Sequence, residues 1–456
     1  MMAVMEELDL LVVGAGACGL AGAIAAHDAG LSVAIVEKLE RPGGNSALST
    51  GSVPAAGSRF QRAAGIADDP TRMVEDLMRI AGETDDPALV RRLAEVSAST
   101  VEWLVDVVGA RLQLVTAYRH IGHSVPRLHA PVSRRGQDLV DDMLAAVTQR
   151  DIPLALGNPV TRLLVEGDAV HGAVVHAADG EAEIHARDTL LAVNGFAGDP
   201  ALVRRFCPEI AGAQYFGARG STGEAVRWGE ELGAALGNMA AYQGYAAVAY
   251  PQGSLLSWTT IEKGGILLDR EGLRFGDESL GYSGYARLVL ERGGDAYALF
   301  DQPIFEIALQ EEEFAEQVAH GGVKHAPTVE AAAAAYGLPP AAVAAEVTAY
   351  GDAAAGHTLD RHGRKDFGLA PLRPPFHIAR VMPGLFHTQG GLCVDGNARV
   401  LRRDGSVIKG LFAGGGAAIG ISGRAGALGY ASGNGLLTAI ALGRLAGLAA
   451  ARRVVG

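Results

Sequence analysis

Three glycines and one acid carry the clearest chemistry in this chain. Gly14, Gly16 and Gly19 form a G-x-G-x-x-G run, and Glu37 closes the apolar stretch that follows it. In such a run the first glycine permits a tight turn, and the second lets a pyrophosphate approach the backbone. The third lets helix and strand pack closely. Glu37 stands where a carboxylate accepts hydrogen bonds from a ribose and repels a 2′-phosphate, which disfavours NADP. Gly43-Gly44-Asn45-Ser46 makes a second glycine turn. A turn placed there can wrap a pyrophosphate and a flavin edge, which shifts the expected cofactor from NAD towards FAD.

These residues need elements to hold them. Leu8 to Val13 is a short apolar run with β-branched residues, which predicts a buried parallel strand. Leu20 to Ala29 is Ala-rich and predicts a helix, with Gly30 as its stop. Leu31 to Val36 predicts a second strand. The helix start would meet phosphates with unpaired N–H groups and the positive end of its dipole.

Composition narrows the class. The 456 residues allow two or three domains, and 49% hydrophobic with 20% charged is a globular balance. A net charge of −12 without a basic run argues against nucleic acid as a partner. Cys18, Cys207 and Cys393 are odd in number and lack CxxC spacing, which predicts a reducing compartment and no disulfide framework. Glu6, Glu7 and Asp9 flank the first apolar run, so no signal peptide is expected. No stretch is expected to reach the ~18 residues of a membrane helix. Leu436 to Ala450 comes nearest but carries Arg444. The expected location is the cytoplasm, without membrane insertion.

Along the chain, Asp69-Pro70 and Asp86-Pro87 predict helix starts. Residues 118–136 predict a polar, basic loop. Its His120, His123 and His129 lack a cysteine or carboxylate spaced to complete a metal site, so no metal is expected. Gln137 to Gln149 predicts a helix. Residues 159–196 predict strands, with a hairpin at Asp179-Gly180 and a returning parallel strand from Thr189 to Val193. Gly220 to Leu236 predicts a helix, and residues 303–365 an Ala-rich helical region. Leu411 to Ala413 predicts a buried strand, and Asn434 to Leu448 a closing helix. The expected domains are 1–240 and 376–456, together binding the cofactor, with 241–375 inserted between them. The fold class is α/β: a Rossmann-like domain with an α+β cap.

Taken together, the motifs resemble those of the fumarate reductase and succinate dehydrogenase flavoprotein superfamily, including the FAD-dependent 3-ketosteroid dehydrogenases. The resemblance rests on Gly14 to Gly19 with Glu37, GGNSALSTG, GHSVPR-x-H, Gly272 to Glu278, HTQGG, and GLFAGGG followed by GYASGNGL. It implies FAD, with substrate between cap and flavin. It implies cofactor contacts at Gly14, Gly16, Gly19, Glu37, Lys38, Gly43, Gly44, Asn45, Ser46, Ser49 and Gly51. Further contacts are implied at Val160, Asn194, Gly195, Gly415, Gly433, Gly435 and Leu436. Asn45 holds the position where the succinate dehydrogenase branch attaches flavin to a histidine, which implies non-covalent FAD.

The departures from the fumarate reductase pattern point to the substrate. Tyr282 stands where that pattern has its acid arginine, and Tyr430 where it has a carboxylate-binding arginine. Phe386 and Tyr245 align with carboxylate-binding histidines, and Trp258 and Ile261 with the proton-path Glu and Arg. Arginine binds carboxylate with a charged planar fork that tyrosine lacks. The expected substrate is therefore a neutral ketone, held near Gly433, Tyr245 and Phe386. In the Δ4-(5α) ketosteroid group the Tyr and Ser of Y-A-S-G are catalytic, which implies roles for Tyr430 and Ser432. Tyr282 would take the α-proton. Ser432, Tyr285 and Tyr118 are the candidates to support that phenol. Arg274 reads as structural, Arg127 and His129 as either substrate contacts or loop anchors, and His387 as near flavin without an acid–base role.

The expected activity is thus desaturation of a cyclic or steroid-like ketone, with an external electron acceptor. The alternative is a flavin-dependent reductase of an α,β-unsaturated acid, with Arg127 or another arginine supplying charge. A flavin-binding protein without turnover is the third reading, and the intact substrate-side motifs argue against it.

Overall fold

Leu8–Val13 forms strand β1, and Leu10, Leu11 and Val12 within it are fully buried. The computed structural model describes residues 7–116, 120–178 and 180–455, and sets β1 between two parallel neighbours. On one side lies β2 (Val33–Val36), with Leu10 opposite Val33. On the other lies Gly180–Leu191, with Leu11 opposite Thr189. Val407–Ala413 adds in parallel beyond it, placing Leu411 opposite Thr189. A strand from late in the chain thus completes a sheet begun at residue 8. This is a mixed α/β fold of the FAD-binding type. Asp179 of the expected hairpin lies outside the described residues. The strands flanking it pair antiparallel, His176 opposite Glu181.

Helix α1 (Ala17–Asp28) follows β1 and ends before Gly30, which holds φ +88°. It packs on the helix Asn434–Val455 at backbone distance. A Cβ on Gly443 would lie 2.1 Å from the Cys18 carbonyl oxygen, and one on Gly447 2.5 Å from that of Gly22. This last helix runs past the expected Leu448 because Ala449 to Ala451 continue a good helix-forming sequence. One expectation is corrected here. Asn434–Arg452 is, by length and composition, apolar enough to cross a membrane, yet 78% of its apolar window is buried inside the protein. A core helix meets the same description.

Other boundaries follow local rules. Asp69 and Asp86 cap their helices by accepting the N–H groups of Arg72 and Leu89. The helix expected over 220–236 is only Glu224–Glu231. Gly223 and Gly233 hold positive φ at its two ends, which a continuous helix excludes. The loop 118–136 contains a strand, Leu128–Pro131, paired with Val53–Pro54.

The chain divides into two compact units. The first holds the chain up to Cys207, Gly217–Tyr242, and the chain from His387 onward. The second holds Pro208–Phe216 and Gln243–Phe386. It therefore extends beyond the expected 241–375. Phe376 to Val381 pair with Asp301 to Ala296, and Gln214 and Tyr215 pair with Gly384 and Leu385. Within 303–365 the expected helices form at Glu312–Ala319, Val329–Ala334 and Pro340–Ala354, interrupted by the strand Lys324–Ala326.

Candidate functional site

The glycines after β1 do two different jobs. Gly14 holds φ +107°, and a Cβ there would lie 2.4 Å from the Ala192 carbonyl oxygen. A Cβ on Gly19 would lie 1.9 Å from the Gly14 carbonyl oxygen. The protein's own packing requires both. At Gly16 the Cβ direction meets nothing closer than the Gly43 carbonyl oxygen at 3.6 Å and Ser46 Oγ at 3.9 Å. Gly16 caps α1 without a side-chain acceptor, and Ser46 Oγ accepts the Ala17 N–H at 3.3 Å. Bare backbone at a helix start suits an anion. Glu37 Oε2 accepts the Ala15 N–H at 2.8 Å, and Oε1 the Leu39 N–H at 2.9 Å. A carboxylate has about four acceptor positions, so ribose hydroxyls can share it. These residues fit the pyrophosphate and ribose of FAD.

Around this cradle the other expected contacts are fixed by hydrogen bonds. Asn45 Oδ1 accepts the Ala218 N–H at 2.6 Å. Ser49 Oγ donates to the Ser46 carbonyl at 2.7 Å and accepts the Gly51 N–H at 3.1 Å. Gly43 and Gly44 both hold positive φ, and nothing lies within 4 Å of a Cβ on Gly44. Asn194, at φ +66°, donates from Nδ2 to Ser221 Oγ at 2.7 Å and accepts the Gly195 N–H at 2.9 Å. A Cβ on Gly195 would lie 2.4 Å from Thr388 Oγ1. Val160 opens a strand opposite Val175, Gly415 holds φ +61°, and Leu436 is buried. Lys38 is committed elsewhere: Nζ donates to Thr222 Oγ1 at 2.9 Å and pairs with Glu224 Oε1 at 2.5 Å. Burial pushes the Cys18 thiol up to about 12, so it stays protonated and unreactive.

At the start of the last helix a second group gathers. Gly433 holds φ +82°, and a Cβ there would lie 2.7 Å from Pro54 Cδ. Tyr430 and His387 meet edge-on, with ring centroids 6.4 Å apart and planes at 65°. A Cβ on Gly435 would lie 3.6 Å from His387 Cε1. Burial lowers His387 below its ordinary 6.5, so it is neutral at pH 7. Tyr430, Ser432, Gly433, Gly435 and His387 thus share one helix N-terminus. For His387 the motif HTQGG is the sequence signal of its place beside this helix start.

In the second unit, Tyr245, Tyr282 and Phe386 come together. Tyr282 stacks on Tyr245 with centroids 4.9 Å apart, and Phe386 tilts against Tyr245 at 5.8 Å. Trp258 stands edge-on to Tyr282 at 6.3 Å, and Phe216 stacks on Phe386 at 5.9 Å. Tyr245 is buried and donates to the Leu256 carbonyl at 2.9 Å, and burial raises its pKa. Ile261 is buried. Tyr285 is fully buried with no hydrogen-bond partner for its hydroxyl among the described residues. Tyr118 lies outside the described residues.

The motif arginines are both taken. Arg127 is fully buried; Nε and Nη2 donate to Asp68 at 2.7 Å, and Nη1 to Asp76 at 2.5 Å. His129 Nε2 lies 2.9 Å from Ser58 Oγ. Both residues anchor the loop. Arg274 donates to Glu278 at 2.7 and 3.0 Å and to Asp360 at 2.5 Å, above the Tyr350 ring at 4.7 Å. Arg364 shares Glu278 at 3.3 Å. The partners Asp68, Asp76 and Asp360 gave no sign in the sequence, because each lies far from its arginine along the chain.

A glycine cradle after a central parallel strand, an acid ending the next strand, and a closing helix from late in the chain define a dinucleotide-binding flavoprotein. The chain belongs to the FAD binding domain family, whose pattern it matches over residues 9–436, and so to the fumarate reductase and succinate dehydrogenase flavoproteins. It is an FAD-dependent oxidoreductase. It is 31% identical to the NADH:fumarate oxidoreductase of Klebsiella pneumoniae over 99% of its length, and spans 48% of that protein. Its fold matches the open conformation of a flavocytochrome c3 fumarate reductase with TM-score 0.84 and 29% identity, covering 99% of this chain and 79% of that one. It also matches the 3-ketosteroid Δ4-(5α)-dehydrogenase of Rhodococcus jostii, with TM-score 0.78, 24% identity and coverage of 99% and 98%. That last likeness is one of fold.

Proposed function

We propose that this protein oxidises a CH–CH bond beside the carbonyl of a neutral cyclic ketone. The carrying observation is the commitment of Arg127 and Arg274 to buried carboxylates. A dicarboxylate bound without a free arginine would lack charge compensation, at a cost of several kcal/mol. A ketone oxygen needs only donors. Tyr430 and the Gly433 N–H, at the start of the last helix, hold that oxygen and stabilise the developing enolate. Tyr282 takes the α-proton, and Ser432 supports this machinery. FAD, when bound, supplies the acceptor for the β-hydride. Asn45 offers no nucleophile and accepts the Ala218 N–H, which supports non-covalent attachment.

The second reading is a reductase of an α,β-unsaturated acid. The name of the NADH:fumarate oxidoreductase relative favours it; the engagement of Arg127 with Asp68 and Asp76 leaves it to another arginine to supply the charge. Anaerobic bleaching of the oxidised flavin by cyclic ketones, with succinate as control, separates the two. Ketones should bleach and succinate should not. Tyr430→Phe should slow bleaching on the order of 10²–10³-fold by removing one donor. Tyr282→Phe should slow it roughly 10²–10⁴-fold with FAD retained. Fast bleaching by succinate overturns the neutral-substrate reading. Bleaching that neither variant slows overturns the residue roles alone.

A further inference from the structure

The loop Ile121–Ser124 meets the turn before the last helix at several points. The Ile121 carbonyl accepts the Ser432 N–H at 3.0 Å. Gly122, at φ +85°, passes so close that a Cβ would lie 2.5 Å from Ala431 Cβ. His123 Nε2 lies 2.9 Å from the Ser432 carbonyl oxygen. A carbonyl only accepts, so Nε2 carries the hydrogen and donates. Burial holds this imidazole down to about 4, so it is neutral at pH 7. Its Nδ1 has no partner among the described residues, so the contact to Ser432 is what the ring offers the turn. The loop is braced behind: Asp76 accepts the Ser124 N–H at 2.8 Å and pairs with Arg127.

In a trans peptide the carbonyl and the next N–H point in opposite directions. Holding the Ser432 oxygen on one side therefore sets where the Gly433 N–H points on the other. We propose that His123 is a positioning residue: by donating to the Ser432 carbonyl it aims the Gly433 N–H at the substrate oxygen. This rests on the reading that the Gly433 N–H holds that oxygen. A fixed donor stabilises developing charge better than one that must reorient during the reaction. The histidine does so without touching substrate.

The test uses the FAD-loaded full chain with His123→Gln, His123→Asn and His123→Leu. Glutamine places an amide N–H near the position of Nε2. Asparagine is too short, and leucine has no donor. Two readouts are taken: amide hydrogen exchange of residues 430–436, and the limiting rate of anaerobic flavin bleaching by cyclohexanone and a 3-ketosteroid. The Asn and Leu variants should keep FAD stoichiometry. Their 430–436 segment should exchange about tenfold faster or more, and bleaching should slow about tenfold at saturating ketone. His123→Gln should stay within about threefold of wild type on both. Should the Leu variant fail to fold, the Gln–Asn pair carries the comparison. Unchanged exchange in the Asn variant, or equal impairment of Gln and Asn, overturns the proposal. If no ketone bleaches even the wild type, the ketone reading falls, and the exchange data still decide whether His123 holds the turn.

Discussion

The helix seam of the first unit presses backbone on backbone, while Arg274 in the second is held by charged and aromatic side chains. Gly14, Gly19, Gly443 and Gly447 bring main chains to distances no Cβ would allow. Around Arg274, by contrast, Glu278, Asp360 and the Tyr350 ring form a buried charged knot. The difference teaches where variation is tolerated. A glycine seam fixes geometry and leaves no freedom of residue type, as befits a constant cofactor. A side-chain network can be rebuilt with other residues of matching charge and size.

The largest effect should come from breaking the knot. Arg274→Ala leaves the fully buried Glu278 carboxylate short of a partner, and should cost roughly 3–5 kcal/mol in denaturant unfolding. A loss under about 1 kcal/mol would show that Arg364 alone compensates. Next comes the cradle. Glu37→Ala should weaken FAD binding by about 1.5–3 kcal/mol, measured by flavin titration of the apoprotein. Full affinity in that variant would remove Glu37 from the ribose.

The smallest effect sharpens the comparison through pH. Burial holds His129 in the first unit and His377 in the second down to about 4. Between that value and 6.5 the unfolded chain binds a proton that the folded chain does not, so stability falls as pH falls through this window. Each imidazole should contribute a loss of about 1–2 kcal/mol by pH 5. Melting wild type, His129→Gln and His377→Gln at pH 7 and pH 5 checks it. Each variant should show a smaller drop than wild type, and an equal drop would exclude that histidine.

The sequence was legible where a local rule binds. β1, α1 and β2, the caps at Asp69 and Asp86, and the stop at Gly30 each follow from neighbours a few residues apart. It was not legible where partners are distant. Arg127 carried no mark of Asp68 or Asp76, and His387 no mark of Tyr430, because ion pairs and ring contacts leave no periodicity. The helix Glu224–Glu231 is shorter than the expected 220–236 because Gly223 and Gly233 adopt left-handed φ, which ends helices and leaves no mark in the apolar pattern.

The glycine seam between α1 and the last helix also bears on how the protein is made. β1, α1 and β2 are made early, and Gly22 packs on Leu190 and on the Gly443 backbone, which comes much later in the chain. The strand Val407–Ala413, which completes the sheet beside Gly180–Leu191, is equally late. During synthesis the nucleotide half therefore waits with an apolar seam exposed, the kind of surface that chaperones engage. The face of α1 that carries Gly22 is therefore covered only once the last helix has been made.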